Sequence, residues 1–147
     1  MTLEIIKNNP RYRHKDPIIT FHRMTHRFMF SKAALALLER VYGSPTTRVL
    51  LLRDRDNPDI LCFQPVQPEN ENGWQIKTGR FDGSIYIAAA GAIDALDWVF
   101  KNSITKFKVH VSEDKTMLVI NRKSVYQVYD GRRYVPVGNT EPVGLVK

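Results

Sequence analysis

Basic and aromatic residues interleave near both ends of this 147-residue chain. Arg11, Tyr12, Arg13, His14 and Lys15 form one run. Phe21-His22-Arg23 and His26-Arg27-Phe28 continue it, and Arg132-Arg133-Tyr134 repeats it late in the sequence. Lysine and arginine neutralise phosphates and release their counterions, and exposed rings stack on unpaired bases. The pattern therefore points to nucleic acid, single-stranded rather than duplex. The residues expected to bind it are Arg11, Tyr12, Arg13, Lys15, Arg23, Arg27, Arg132, Arg133 and Tyr134. The two predicted helices carry few basic residues (Lys32, Arg40 and Lys101), so no groove-reading helix is expected. The competing reading has the aromatics filling a core and the charges only solvating the surface.

The distribution of charge sharpens this division. The net charge is +7. Residues 1–30 hold six Lys/Arg against two Asp/Glu, and residues 122–147 hold five against two. Residues 31–121 are balanced, with eleven of each. The excess sits in the two ends, flanking a neutral body, and three of the four histidines add to the first end.

Other chemistry is weakly represented. Asp54-Arg55-Asp56-Asn57-Pro58-Asp59 has alternating carboxylates, but it lacks the central glycine and terminal glutamate of a calcium loop and reads as a solvated turn. His22 and His26 are four apart on predicted strand and turn, with no acidic or thiol partner, so no metal is expected. Asp94 and Asp97 read as the wet face of a helix. Residues 79–83 lack the ending of a phosphate loop. Cys62, the lone cysteine, reads as a small buried apolar residue on a strand. With no converging nucleophile, base and oxyanion donors, the chain is expected not to be an enzyme and to need no cofactor.

These residues must be positioned by short elements. Length and composition suit one α+β domain over residues 1–147. Strands are predicted at 3–7, 18–24 and 27–30. Ser31 is the expected N-cap of a helix whose apolar face is Ala34, Leu35, Leu38, Val41 and Tyr42, stopped by Gly43 and Pro45. A hairpin follows at 48–53 and 60–66. Strands at 74–78 and 84–88 flank the Asp82-Gly83 turn. A second helix is predicted over 89–101, with Trp98 in its core face. A second hairpin is expected at 106–111 and 116–121, and a tail hairpin at 125–129 and 134–137. The N-terminus does not resemble a signal peptide and no run suits a membrane span, so the cytoplasm is the expected location, with no membrane partner.

The middle of the chain matches itself. A shift of 58 takes Ala34, Leu35, Leu38, Val41 and Tyr42 onto Ala92, Ile93, Leu96, Val99 and Phe100, and Ile60 onto Leu118, without a gap. The preceding strand needs one residue of slip, Phe28 and Phe30 matching Ile85 and Ile87. The expected fold is two tandem ββαββ units, about 18–66 and 74–121, packed around a pseudo-two-fold, plus the hairpin at 125–137.

The first unit is Arg27-Phe-Met-Phe-Ser-Lys-Ala-Ala-Leu-Ala-Leu-Leu, a glycine turn, Arg48-Val-Leu-Leu-Leu-Arg and Ile60-Leu-Cys-Phe-Gln-Pro-Val. It resembles the AbrB-type swapped-hairpin DNA-binding domain, whose order is strand, short helix, glycine turn and hairpin. The resemblance implies an intertwined pair of units that binds DNA. Ser31 and Pro45-Thr46-Thr47 depart from that family's pattern, so no binding residue is carried over. Alternatively, the four strands from 48 to 88 and the helix after them resemble the PUR-repeat and Whirly group of single-strand binders. The expected function is nucleic-acid binding. The alternative is a non-enzymatic interaction module that meets a protein partner or forms a homo-oligomer through its β-edges.

Overall fold

A computed structural model describes residues 2–4 and 16–137. It is α+β, with two helices and two antiparallel sheets. The first hairpin pairs β1 (Ile18–His22) with β2 (Arg27–Phe30). Period-two alternation buries Phe21, Phe28 and Phe30 on one face and leaves His22, Arg27 and Met29 on the other. Ser31 then ends β2 and caps α1 (Lys32–Tyr42). Its Oγ accepts from the backbone N–H of Ala34 and from that of Ile18, both at 3.0 Å. The cap thus binds the helix start to the first strand. Gly43 takes φ 81°, where a side chain would be strained, and donates its N–H to the Glu39 carbonyl at 2.8 Å.

β3 (Arg48–Arg53) and β4 (Ile60–Val66) pair throughout, as the sequence predicts. The strand predicted at 74–78 is a crossing piece. β5 (Trp74–Gln75) pairs with β3, and β6 (Lys77–Thr78) pairs with β7 (Ile85–Ala88) in the other sheet. Ile76 sits between them and donates its N–H to the Thr47 carbonyl at 2.8 Å. The second hairpin behaves alike. β8 (Ile104–Lys108) pairs with β1, and β9 (His110–Val111) pairs with β10 (Leu118–Asn121), with buried Val109 between them. β11 (Val125–Tyr129) adds to β8 with a bulge at Tyr126, and β12 (Tyr134–Pro136) closes the tail hairpin.

The seven-stranded sheet runs β12-β11-β8-β1-β2-β7-β6 and the five-stranded sheet β5-β3-β4-β10-β9. Because both edges of the second sheet continue into strands of the first, the ladder closes into a ring, and β11–β12 projects beyond it. Phe63 of β4 meets Phe28 and Phe30 of β2 edge-on, at 5.5 and 5.7 Å between centroids. That geometry suits the ring quadrupoles and fills the space between the sheets.

The second helix is shorter than its periodicity predicts. α2 covers only Ala90–Leu96, and Asp97 leaves it with φ 56°. Gly91 weakens the helix, and Ala89 supplies no side-chain cap. Trp98 instead turns inward, 4% exposed, and its Nε1–H donates to the Pro58 carbonyl at 2.9 Å. Burying the indole with its donor satisfied outweighs the five further residues of helix, 97–101, that the periodicity predicts. Val99, expected on the apolar face, is consequently 83% exposed. Cys62 is half-buried on the outer side of β4, between the buried Leu61 and Phe63, and burial pushes its thiol pKa up. The strand predicted at 3–7 falls mostly outside the described residues, and residues 2–4 belong to no element.

Replacing Ser31 by alanine removes the acceptor for two backbone N–H groups at once. We expect Ser31→Ala to lower unfolding stability by about 1–2 kcal/mol, and Ser31→Thr to retain most of it, in urea titrations.

Candidate nucleic-acid interface

Strand registry places the outward side chains of the seven-stranded sheet in rows. One row runs Arg27, His22, Ile104, Tyr129, Tyr134, each directly opposite the next on β2, β1, β8, β11 and β12. The neighbouring row runs Lys77, Tyr86, Met29, Thr20, Lys106, Gln127. At the usual spacing between strands, Arg27 and Tyr134 lie about 19 Å apart along their row.

Cations and rings pair across these rows. The Arg27 guanidinium lies 4.1 Å from the centre of the Tyr86 ring. The Lys106 ammonium stands 4.1 Å over Tyr134, and Lys108 is 5.4 Å from Tyr126. Tyr129 and Tyr134 meet at 5.3 Å between centroids. Such pairs hold flat aromatic surface and positive charge together on one plane. Among the described residues, none of the seven strands contains an aspartate or glutamate. Thr20, His22, Met29, Lys106 and Tyr134 border a shallow depression of about 220 Å³ at the middle of the face.

The local field has a titration signature. Burial lowers the pKa of His22, and the neighbouring charges of Lys106 and Arg27 lower it further. Burial also lowers the pKa of Lys106. The face therefore carries a neutral imidazole between two cations near neutral pH. Its rim is marked by turn carboxylates. Asp82 is held below the ordinary carboxylate range by the backbone N–H and hydroxyl of Ser84. Asp130 is held there by the backbone N–H groups of Arg133 and Arg132.

The residues expected from sequence are distributed unevenly. Arg11, Tyr12, Arg13 and Lys15 lie outside the described residues. Arg27 and Tyr134 share the face and the row. Arg132 and Arg133 are exposed in the turn at the end of that row, their backbone held by Asp130. Arg23 has a structural engagement: its Nη1 donates to the carbonyls of Phe100 and Lys101 at 3.2 and 2.8 Å, fastening the segment after α2. Arg122 and Lys123, counted in the basic C-terminal excess, both bind Asp59, Lys123 at 3.4 Å. Sequence reasoning missed Tyr86, Lys106, Lys108, Tyr126 and Tyr129. The available signal was Lys106-Phe107-Lys108 on a strand, where period two must turn both lysines to the side opposite a buried phenylalanine.

Among the described residues, no three His, Cys, Asp or Glu side chains gather as they would around a metal ion, and no helix is long and apolar enough to cross a membrane. No protein-family model, curated protein or solved structure matches this chain.

His22 offers a check on the face's electrostatics. Its folded pKa is lowered, so the unfolded chain binds more protons between that value and the ordinary 6.5. Stability from this group is complete above 6.5 and is lost as pH falls through that window. NMR titration should place the imidazole midpoint below 6.5, and Lys106→Gln should raise it. A midpoint unmoved by Lys106→Gln would contradict the assigned field.

Proposed function

We propose that the outer face of the seven-stranded sheet binds single-stranded nucleic acid, with the strand lying across the β-strands from β7 towards β12. The observation that carries this reading is an acid-free sheet face on which Arg27–Tyr86, Lys106–Tyr134 and Lys108–Tyr126 pair cations with rings. Phosphates meet the cations while bases stack on the exposed parts of the rings and on the guanidinium plane. A sheet face suits an opened single strand better than a duplex, because it presents no helix to enter a groove. Arg132 and Arg133 extend the charge past Tyr134, and the basic run at Arg11, Tyr12, Arg13 and Lys15 adds to the total charge available.

The test is fluorescence anisotropy with labelled oligonucleotides at several salt concentrations. Lys106→Gln should reduce the slope of log affinity against log salt by about 0.7. Tyr86→Ala should weaken binding roughly tenfold, the loss of one stacking platform. Lys115→Gln, in the turn between β9 and β10, should change neither. Absence of salt-sensitive binding to any single-stranded oligonucleotide would end the proposal. The alternative of a protein-interaction module draws on β12, which pairs only with β11, exposes Tyr134 and is followed by exposed Val137.

We further propose that the fold is two tandem ββαββ units around a pseudo-two-fold. Two strand pairings support this. β2 pairs antiparallel with β7, and β4 with β10, each strand meeting its own counterpart as a two-fold requires. The crossing strand β5–β6 pairs with β3 and β7, much as β1 pairs with β8 and β2. The gap-free match predicted through the hairpin needs amendment. Val49 matches Phe107 at the shift of 58, but the inward residues Leu61 and Phe63 match Leu118 and Ile120 one residue sooner. The slip in the preceding strand, Phe28 and Phe30 onto Ile85 and Ile87, is the same one. If the reading holds, the chain divided in the loop at 67–73 should reassemble from co-expressed halves, and neither half alone should show cooperative unfolding. A half that folds by itself would contradict it.

A further inference from the structure

On another part of the ring lies a hollow of about 400 Å³ between α2 and the strands β3, β4 and β5. Leu51 and Leu61 form its floor, and Trp74 one wall. Its roof is α2, where Gly91, Ala92 and Ala95 are too short to fill the space. A methyl added at Gly91 would barely touch Trp74, at 4.0 Å. One charged group stands at its edge. Arg53, at the end of β3, donates Nη1–H to the Ala95 carbonyl at 2.9 Å, which fixes the guanidinium against the mouth of the hollow. A guanidinium carries five N–H donors, so others remain for a ligand.

A second depression of about 290 Å³ shares Arg53 and Leu96 and adds Asp54, Arg55 and Pro58. The two hollows therefore adjoin at Arg53. Asp54 already accepts the Asp56 N–H at 2.9 Å with one oxygen. The second depression thus sets the guanidinium groups of Arg53 and Arg55 against that one carboxylate, while Arg53 is the one charged residue lining the first hollow. An apolar cavity of this size with one fixed polar group is the usual form of a small-molecule site.

We propose that this hollow binds a small amphipathic carboxylate, with its apolar body against Trp74, Leu51 and Leu61 and its carboxylate paired to Arg53. The pairing is geometrically apt, because a planar guanidinium receives a carboxylate through two parallel hydrogen bonds. The site shares no residue with the cation–aromatic face, so its test is independent of nucleic-acid binding.

The experiment uses the full chain, 15N-labelled, titrated with decanoate below its micelle concentration and, separately, with decanol. The Trp74 indole N–H resonance, assigned by its loss in Trp74→Phe, reports occupancy. Decanoate should shift it saturably and bind about tenfold more tightly than decanol. Arg53→Gln should abolish that preference while leaving decanol binding unchanged, and Arg53→Lys, which keeps the charge, should retain part of it. Ala95→Leu should weaken both ligands at least about tenfold by filling the roof. The proposal is overturned if decanoate leaves Trp74 unmoved, if Arg53→Gln preserves the preference, or if Ala95→Leu binds both ligands as the wild type does.

Discussion

Two strands change sheets, one at Ile76 and the other at Val109, and the rest of the architecture follows from those crossings. A five-stranded sheet with free edges would expose a row of unpaired backbone groups on each side. Continuing β5 into β6, and β9 into β8, carries both edges into the larger sheet. The ring that results has one interior, in which Phe63 meets Phe28 and Phe30 across the gap. Burial of a few large rings can organise so short a chain because each edge of the smaller sheet runs on into the larger one.

Closure also decides what the surface can offer. With one side of β1, β2, β4, β8 and β10 committed to the core, the opposite side of these strands is left for function. In the larger sheet the outer face carries Arg27, Lys77, Lys106 and Lys108 beside tyrosines. The acidic residues of the same stretch, such as Asp54, Asp56, Glu69, Glu71, Glu113 and Asp114, stand in turns and loops. Among the described residues the strands thus carry cations and no carboxylate, a division that a count along the chain does not show.

What the sequence made legible follows the reach of each interaction. The hairpin at 48–53 and 60–66, the Ser31 cap and the Gly43 stop were all readable, because each rests on local chemistry. The crossing at Ile76 was not readable, since a strand's partners are set by residues far away. The end of α2 was hidden for a related reason: Trp98 leaves the helical pattern to reach the Pro58 carbonyl, forty residues earlier. The cation–aromatic face was obscured by counting. Residues 31–121 sum to zero charge and read as a neutral body, yet they supply Lys77, Tyr86, Lys106 and Lys108 to the face. A net count averages over strands and turns that point in different directions. Period-two facing within each strand would have separated them.

The turn between β3 and β4 gives the closure a mechanical character. Trp98 holds it through the Pro58 carbonyl, and Asp59 holds Arg122 and Lys123 while its carbonyl accepts the Arg122 N–H at 2.7 Å. An exposed hairpin tip is ordinarily the loosest part of a small protein, the place where a strand pair begins to unzip. Here the tip is fastened to the segments after α2 and after β10, both in the second half of the chain. Separation of β3 from β4 cannot start at their turn without first releasing an indole and two ion pairs. Unravelling must therefore begin elsewhere, and a first opening at the tail hairpin, which lies outside the ring, would leave the closed ladder intact.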